Sequence, residues 1–211
     1  MGGRLIDISQ TLRPALPVWP GDTGFSLERT WHIEPGCPVN VSRLTLSTHS
    51  GAHADAPLHY DEAGADIAAV DPGIYVGLCH VFDVRGASKT VKPSDFNLSA
   101  AHGADRVLFR TFDRFPHDEW VSDYAAIAPE TIEMLADTGV RLVGMDGPSL
   151  DPETSKTLDS HHAVKRAGMA ILEGLVLDDV DEGPYELIAA PLKIAGADAS
   201  PVRALLREIS A

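Results

Sequence analysis

The stretch "APETIEMLADTGVRLVGMD" (residues 128–146), with the apolar run "RVLFRTF" (residues 106–112) before it, decides the fold class. Its first half begins with Pro129 and Glu130, repeats apolar residues at helical spacing and stops at Gly139, which is typical of a short helix. Its second half, "VRLVGMD", and the run before the helix have the composition of buried strands. A strand, a helix and a strand in this order predict a βαβ unit, in which the two strands pair in parallel.

Apolar runs on either side of this unit predict further strands. They are "RLIDIS", "SLERTWHI", "VSRLTLST" and "VGLCHVFDV" on the N-terminal side, and "MAILEGLVL" and "ELIAAPLKIAG" on the C-terminal side. In "VSRLTLST", apolar Val41, Leu44 and Leu46 mix with polar residues, a pattern typical of a half-buried strand. A second helix is predicted over "SKTLDSHHAVKRAG", ending at Gly168, whereas "PVRALLREIS" fits a strand or a helix. Many strands and few helices predict an α/β fold with a mixed sheet, or an α+β fold, in a single domain of residues 1–211.

The composition argues against several classes of function. The 211 residues carry 17 Lys+Arg against 31 Asp+Glu, a net charge of −14, and contain no run of basic residues. Nucleic acids and anionic membranes need basic patches, so neither is an expected partner. The first ten residues, "MGGRLIDISQ", lack the features of a signal peptide, and no apolar segment approaches the roughly 20 residues of a membrane span. Two cysteines cannot build a disulfide framework, so the expected compartment is the cytoplasm.

Three histidines and an aspartate are concentrated in "HSGAHADAPLHY" (residues 49–60), namely His49, His53, Asp55 and His59. Glycine and proline within the stretch disfavour a helix, so we expect a loop that follows the strand "VSRLTLST". A glycine turn lets the imidazoles of His49 and His53 converge, and Asp55 can add a carboxylate. Imidazole and carboxylate groups suit zinc or manganese, and one carboxylate can bridge two metals. The alternative is a group of solvated surface histidines.

Ligands from elsewhere in the chain would complete such a metal site. The second predicted helix offers the adjacent His161 and His162, which point about 100° apart on a helix, so we expect only one to reach the cluster. Glu173 is a lone acid in the apolar run "MAILEGLVL". A charge in a buried strand is costly unless it is paired or binds a metal, although a strand edge facing water would also explain it. Asp146, at the end of "VRLVGMD", fits either a strand-end cap or a partner of a ligand histidine.

The stretch "HSGAHADAPLHY" resembles the signature of the cyclase family of metal-dependent hydrolases, in which a His-x-x-x-His-x-Asp-x-Pro-x-x-His pattern recurs. The resemblance extends over nearly the whole chain and includes "LPVWPGD", "GVRLVGMDGPSLDPETSKTLDSHHA" and "MAILEGLVLDDV". Through these stretches the chain resembles in particular the bacterial kynurenine formamidase (arylformamidase) branch of the family. That branch hydrolyses N-formyl-L-kynurenine to L-kynurenine and formate in tryptophan degradation. The resemblance implies a swivelling β/β/α-type fold, a homodimer and this small-molecule substrate.

The resemblance also implies a site with two zinc ions in each subunit. Manganese or another divalent metal is the alternative to zinc. His49 and His53 match the ligands of one zinc, and His161 matches a ligand of the second. Asp55 and Glu173 match carboxylates that both metals share. A binuclear zinc hydrolase is therefore the expectation.

Two further residues match positions of the family that do not bind metal. His59 matches the catalytic acid/base, and imidazole suits this role because it titrates near neutral pH. Trp19, in "VWPGD", matches a residue that lines the substrate pocket, where it can stack on an aromatic ring. From the residues alone, Trp19 could equally be packed under the proline-rich loop.

Three functions fit these residues. The first is hydrolysis of N-formyl-L-kynurenine. The second is a related hydrolase of the same family that acts on another amide or on a cyclic imide such as isatin, and it would differ in the pocket around Trp19. The third is a non-catalytic metal-binding protein, which would not need a non-ligand His59 beside the metals.

Overall fold

The computed structural model describes residues 3–101 and 103–209, which form thirteen strands, two α-helices and four short 3₁₀ helices within those ranges. The strands are β1 (Leu5–Asp7), β2 (Ser26–Trp31), β3 (Val41–Thr45), β4 (His53–Asp55), β5 (Val76–Asp83), β6 (Thr90–Val91), β7 (Arg106–Arg110), β8 (Ala126–Ile127), β9 (Leu142–Met145), β10 (Ala170–Glu173), β11 (Gly183–Ile188), β12 (Ala199–Pro201) and β13 (Leu205–Glu208). The α-helices are α1 (Pro129–Asp137) and α2 (Asp159–Ala167), and the 3₁₀ helices are Pro57–His59, Pro72–Tyr75, Pro93–Asp95 and Leu98–Ala101. Among the described residues, no helix is long and apolar enough to cross a membrane.

Nine strands form one curled, mixed sheet in the order β1-β13-β11-β5-β7-β9-β10-β4-β12. The central strands β5, β7, β9 and β10 are parallel, and the strands on either side are antiparallel. The predicted βαβ unit is confirmed, since β7 and β9 flank α1 in the chain and pair in parallel, with Val107 opposite Val143. The predicted mixed α/β fold with few helices is confirmed as well.

The side chains of the central strands point alternately to the two faces of the sheet, so an apolar core forms on each face. On β7, Val107 and Phe109 belong to one apolar cluster with Ile132 of α1 and Val164 of α2, whereas Leu108 belongs to the cluster on the opposite face. Successive side chains of a strand point to opposite faces, so a run that is apolar at every position is buried on both sides. This explains why the middle of β7 is apolar at three successive positions.

The hairpin of β2 and β3 differs from the sequence prediction. The two strands pair only with each other, and every residue in them is exposed, including Leu44 at 53% and Trp31 at 58%. The strand predicted over "VSRLTLST" is confirmed as β3, but its predicted half-burial is wrong for the isolated chain, because every residue of β2 and β3 is exposed.

Two other local predictions need correction. The cluster expected in a loop contains a strand, since β4 (His53–Asp55) lies between β10 and β12 in the main sheet. The strand predicted over "ELIAAPLKIAG" ends at Ile188, and Pro191 lies in the irregular segment that follows, since proline cannot donate to a sheet ladder. The ambiguous "PVRALLREIS" forms β12 and β13 in part, so it is a strand region.

Candidate metal centre

Four chain segments bring five ligand-type side chains together. His53 and Asp55 lie on β4, Glu173 is the last residue of β10, and His161 lies in the first turn of α2. Register places His53 opposite Glu173, so these two residues are adjacent across the antiparallel pair β4–β10. His49 lies in the turn that precedes β4. The sheet and helix therefore fix a group that the sequence separates by more than a hundred residues.

Asp55 is the centre of the group, with a fully buried carboxylate. Its Oδ1 lies 3.1 Å from Nδ1 of His49 and 3.5 Å from Nε2 of His53. Its Oδ2 lies 3.5 Å from Nε2 of His161. The two carboxylate oxygens thus face different imidazoles, as expected for a carboxylate that is shared between two sites.

Glu173 repeats this arrangement from the opposite side. Its Oε2 lies 3.4 Å from Nε2 of His53, and its Oε1 lies 3.5 Å from Nε2 of His161. The backbone N–H of Leu150 also donates to Oε1, at 2.8 Å. Glu173 is 3% exposed, so the alternative of a strand edge that faces water is wrong.

The polar atoms at the middle of the group are buried and lack ordinary hydrogen bonds. Nε2 of His53, Nε2 of His161 and both carboxylate oxygens of Asp55 have no hydrogen-bond partner within the residues that the structure describes. Unpaired buried polar atoms are costly, and four of them converging on one point is unusual for a packed core. Imidazole nitrogens and carboxylate oxygens are the donors that zinc and manganese accept, so these residues fit divalent metal ions.

Each imidazole of the group is held from behind by a second contact. Nδ1 of His53 lies 2.9 Å from the carbonyl oxygen of Gly51. Nδ1 of His161 lies 2.6 Å from Oδ2 of Asp151, and Nε2 of His49 lies 3.1 Å from Oδ2 of Asp198. Ligand histidines commonly donate their second N–H to a carbonyl or carboxylate, which fixes the ring orientation and leaves the other nitrogen for the metal.

Sequence reasoning missed Asp151 and Asp198. Asp151 lies within the quoted stretch "GVRLVGMDGPSLDPETSKTLDSHHA", ten residues before His161, but helical or strand periodicity does not link the two positions. Asp198 is separated from His49 by 149 residues, and only the pairing of β12 with β4 brings them together. No local sequence signal could have identified Asp198.

Two glycines allow the close approach of β10 and the turn before β4. Gly51 and Gly174 have φ values of +65° and +66°, a region that side chains rarely adopt. A Cβ atom on Gly174 would lie 2.6 Å from the carbonyl oxygen of Gly51. The same carbonyl oxygen of Gly51 contacts Nδ1 of His53. The close approach of the Gly51 and Gly174 backbones is therefore part of what holds the His53 ring in place.

Without metal, the buried carboxylates raise the pKa of two of the imidazoles, those of His49 and His161. Burial alone would lower the pKa of His49, but the neighbouring carboxylates of Asp55 and Asp198 outweigh burial and raise it to about 9. Burial also opposes a charge on His161, while Asp151 and Asp55 raise its pKa well above the usual value. Burial would raise the pKa of Asp55, but the imidazoles of His161 and His49 hold it well below its usual range. A metal must therefore displace protons to bind.

His59 lies at the edge of the group, at the end of the 3₁₀ helix Pro57–His59. Its ring centroid is 4.2 Å from that of His49, and its Nδ1 lies 3.5 Å from Oδ2 of Asp198. Potential ligand atoms of His49, Asp55 and His59 lie within 4.8 Å of one another, so the geometry permits His59 to be either a metal ligand or an acid/base.

Of the adjacent His161 and His162, one reaches the cluster, as the sequence predicts. His161 is buried and faces the carboxylate of Asp55, whereas His162 is only partly buried.

A cavity of about 310 Å³ leads from the surface to this group. His49, His53, His59 and His161 line its inner end, and its wall is rich in aromatic side chains. Those aromatic residues are Trp19, Phe112, Phe115 and Trp120.

Trp19 packs edge-to-face on Trp120, with ring centroids 5.4 Å apart and planes at 71°. The indole N–H of Trp120 donates to Glu153 at 2.8 Å, which fixes its orientation. Trp19 remains 37% exposed and lines the cavity, so it is not buried under the proline-rich loop. Trp120 is a second aromatic wall residue that sequence reasoning missed.

Asp146 also lines the cavity, but its carboxylate serves the backbone rather than a ligand histidine. Its oxygens accept hydrogen bonds from the N–H of Thr111, at 2.8 Å, and of Phe112, at 2.9 Å. Burial raises the pKa of Asp146 to about 6, although these hydrogen bonds oppose the shift. Of the two interpretations from sequence, the contacts support the strand-end cap, here one that positions Phe112.

Comparison with protein families gives a match over most of the chain. The family model with the description "Putative cyclase" matches residues 6–152, which is more than half of the sequence. The chain belongs to this cyclase family. The matched residues include the whole of "HSGAHADAPLHY", so the resemblance read from that stretch is confirmed.

Relatives of this cyclase-family chain share its full length. It is 61% identical to a protein named kynurenine formamidase from Maricaulis maris (strain MCS10), over 98% of this chain and 99% of the relative. It is 58% identical to a protein of the same name from Erythrobacter litoralis (strain HTCC2594), over 98% of this chain and 94% of the relative.

Solved structures of the family share the fold. A structure described as a potential metal-dependent hydrolase with cyclase activity has a TM-score of 0.82 and 31% identity, and the match covers 99% of both chains. Isatin hydrolase A from Labrenzia aggregata has a TM-score of 0.78 at 24% identity, over 98% of this chain and 94% of that one, which shows the fold alone.

Proposed function

We propose that this protein hydrolyses N-formyl-L-kynurenine to L-kynurenine and formate, as a metal-dependent arylformamidase of tryptophan degradation. The observation that carries the proposal is the aromatic-walled cavity, which ends at a buried group of imidazoles and carboxylates whose central atoms lack hydrogen-bond partners among the described residues. An aryl ring suits the wall, and an amide bond suits the metal chemistry at the inner end. Full-length relatives that are named kynurenine formamidase, at 58% and 61% identity, support this substrate over others.

Two divalent ions in each subunit, most simply zinc, are proposed to occupy the group. His49, His53 and Oδ1 of Asp55 would hold one ion, and His161 with Oδ2 of Asp55 would hold the other. Glu173 would help to hold both ions, since its two oxygens face His53 and His161 separately. When bound, such ions supply Lewis-acid chemistry, because they lower the pKa of a coordinated water and polarise a carbonyl oxygen.

His59 is proposed to move protons in this reaction. It lines the cavity and lies beside the ligand group, within reach of a substrate held there. Hydrolysis of the amide requires a proton to leave the attacking water and a proton to reach the departing aryl amine. An imidazole at this position can accept the first and donate the second, which is ordinary general acid–base catalysis.

Trp19 and Trp120 are proposed to bind the aromatic ring of the substrate. Aromatic stacking contributes about 0.5–1.5 kcal/mol beyond the burial of area. We therefore expect Trp19→Ala to raise KM for N-formyl-kynurenine by roughly 2- to 10-fold at an unchanged metal content. Leu5→Ala, at an exposed apolar residue outside both the cavity wall and the β2–β3 hairpin, is the control. An unchanged KM in the Trp19 variant would remove this residue from the binding site.

Comparison of two substrates tests the proposed function. Purified, metal-loaded protein is incubated with N-formyl-L-kynurenine and, separately, with isatin, and the absorbance change of each reaction is followed. The proposal predicts release of kynurenine and little or no opening of isatin. Preferential hydrolysis of isatin would support the related cyclic-imide hydrolase instead, and metal binding without turnover of either would support the non-catalytic protein.

A homodimer is proposed as the assembled form. The β2–β3 hairpin exposes Leu27 and Leu44, which lie opposite each other in its register, and an exposed apolar surface of this kind is typical of an interface. A second copy could cover the hairpin and restore the half-burial that its sequence pattern predicts. The mass of the protein in solution tests this proposal directly.

We also propose that residues 1–211 act as one domain and that the protein works in the cytoplasm. Pairing of β1 with β13 joins the two ends of the described chain in one sheet, which supports a single domain. Cys37 and Cys79 are free thiols, which supports a reducing compartment.

A further inference from the structure

We propose that Asp198 is a positioning residue that orients both His49 and His59 through one carboxylate oxygen. The inference concerns how the group is held, and it rests on the proposed function for the part that involves turnover. Asp198 would thus couple a proposed metal ligand to the proposed proton carrier.

The backbone fixes Asp198 against the ligand strand. Asp198 directly precedes β12, and β12 pairs with β4 so that Ala199 lies opposite Asp55. The N–H of Ala56 donates to the carbonyl oxygen of Asp198 at 2.8 Å. The position of the Asp198 side chain is therefore set by the same sheet that carries Asp55.

Three side chains surround the carboxylate of Asp198. Its Oδ1 accepts a hydrogen bond from the hydroxyl of Thr48 at 2.9 Å. Its Oδ2 lies 3.1 Å from Nε2 of His49 and 3.5 Å from Nδ1 of His59. Within the described residues, both ion pairs of Asp198 are with these histidines, and neither is with a lysine or an arginine.

This arrangement selects the tautomer of each ring. A carboxylate oxygen only accepts hydrogen bonds, so the 3.1 Å hydrogen bond favours a proton on Nε2 of His49. The longer ion-pair contact of 3.5 Å favours a proton on Nδ1 of His59 through charge. The lone pair of His49 is then left on Nδ1, which faces Oδ1 of Asp55 at 3.1 Å, where the first metal is proposed. The lone pair of His59 is left on Nε2, which becomes the nitrogen available for proton transfer.

A double-mutant cycle at saturating zinc tests the link to His59. Loss of a carboxylate behind a functional histidine commonly costs about 10- to 100-fold in activity or metal affinity, so we expect Asp198→Ala to lower kcat by about that factor. If Asp198 acts through His59, adding Asp198→Ala to His59→Ala lowers kcat by no more than about threefold further. Independent, multiplying losses would overturn the link.

Zinc affinity, measured by competition with a chromogenic chelator, tests the link to His49. We expect Asp198→Ala to bind zinc about tenfold more weakly than the parent protein. Asp66→Ala is the matched control, because Oδ2 of Asp66 accepts the N–H of Gly196 at 2.6 Å and so holds the same segment without touching either histidine. The control should keep the zinc affinity and kcat of the parent.

The outcomes separate this inference from the proposed function. If the parent protein does not turn over N-formyl-kynurenine, the proposed function fails, and the zinc affinity of Asp198→Ala still decides the contact with His49. If the variant matches the parent in both kcat and zinc affinity, within about twofold, the positioning role is wrong. Asp198→Leu, which keeps the branched shape of the side chain without an acceptor, takes the place of the alanine variant if that variant does not fold.

Discussion

Asp55 shows at the residue scale why the central group must bind something. Its carboxylate is fully buried and lies within 3.1–3.5 Å of three imidazoles, yet neither of its oxygens has a hydrogen-bond partner among the described residues. Stability alone does not explain such a buried charged group, because replacing buried charges by apolar residues is often neutral or stabilising. The arrangement is therefore best understood as a binding site that the fold supports at some cost.

His49 and His59 are expected to differ when each is replaced. His49→Ala should lose metal, because His49 is a proposed ligand with its Nδ1 aimed at Asp55. His59→Ala should keep both metals and the fold while kcat falls by about 10²- to 10⁴-fold, the usual contribution of general acid–base catalysis. Zinc content and turnover of both variants provide the measurement. Loss of a metal from His59→Ala would make His59 a ligand, which the close approach of His49, Asp55 and His59 permits.

The sequence predicted most of the side chains that the structure brings together, and it missed their supports. The residues it singled out carry rare chemistry for their surroundings, such as imidazoles in a small-residue turn and Glu173 in an apolar strand. Asp151, Asp198 and Trp120 are ordinary residues in ordinary polar segments, and only three-dimensional contacts distinguish them. The roles of the predicted residues remain predictions until the variants are measured.

At the scale of elements, long apolar runs were predictable and β4 was not. The strands β7 and β9 and the helix α1 are confirmed where the sequence predicted them. The helix α2 and the strand β10 are confirmed over part of their predicted ranges, since α2 begins at Asp159 and β10 ends at Glu173. The strand β4 consists of His-Ala-Asp, which has no strand preference of its own. It is a strand because β10 and β12 supply hydrogen bonds on both sides.

Gly144 tests how tightly β9 is packed between its neighbours. A Cβ atom there would lie 2.6 Å from Cδ2 of Leu108 on β7 and 3.1 Å from Leu172 on β10. We expect Gly144→Ala to destabilise the fold by about 1–3 kcal/mol and to lower Tm by roughly 2–10 °C. Gly86→Ala is the control, because that exposed glycine has no neighbour within 4 Å. Equal Tm values for the two variants would show that β9 can shift to make room.

At the scale of the whole molecule, stability should depend on pH in opposite directions with and without metal. In metal-free protein the pKa of His49 is raised to about 9, whereas a histidine in the unfolded chain has a pKa of about 6.5. Because the folded protein holds this proton more tightly, protonation of His49 stabilises the fold, and the full contribution is present below about pH 6.5. That contribution is lost as the pH rises through about 9, and His161 acts in the same direction. Metal-loaded protein needs deprotonated imidazoles, so its stability should rise with pH over the same range.

Thermal unfolding at pH 6 and pH 9, with and without a chelator, measures this dependence. Chelated protein should lose roughly 5–10 °C in Tm between the two pH values. His49→Ala should lose much of that slope, because the group with the raised pKa is gone. Parallel pH profiles for the chelated and loaded forms would contradict the proposed protonation of the empty group.

Metal removal and reconstitution test whether turnover depends on the metals proposed for the buried group. Protein is stripped with a chelator, zinc is titrated back, and turnover of N-formyl-L-kynurenine is followed at each step. We expect no turnover in the stripped protein and full recovery at two equivalents of zinc per subunit. Full turnover by protein that is shown by elemental analysis to contain no metal would contradict this dependence on metal.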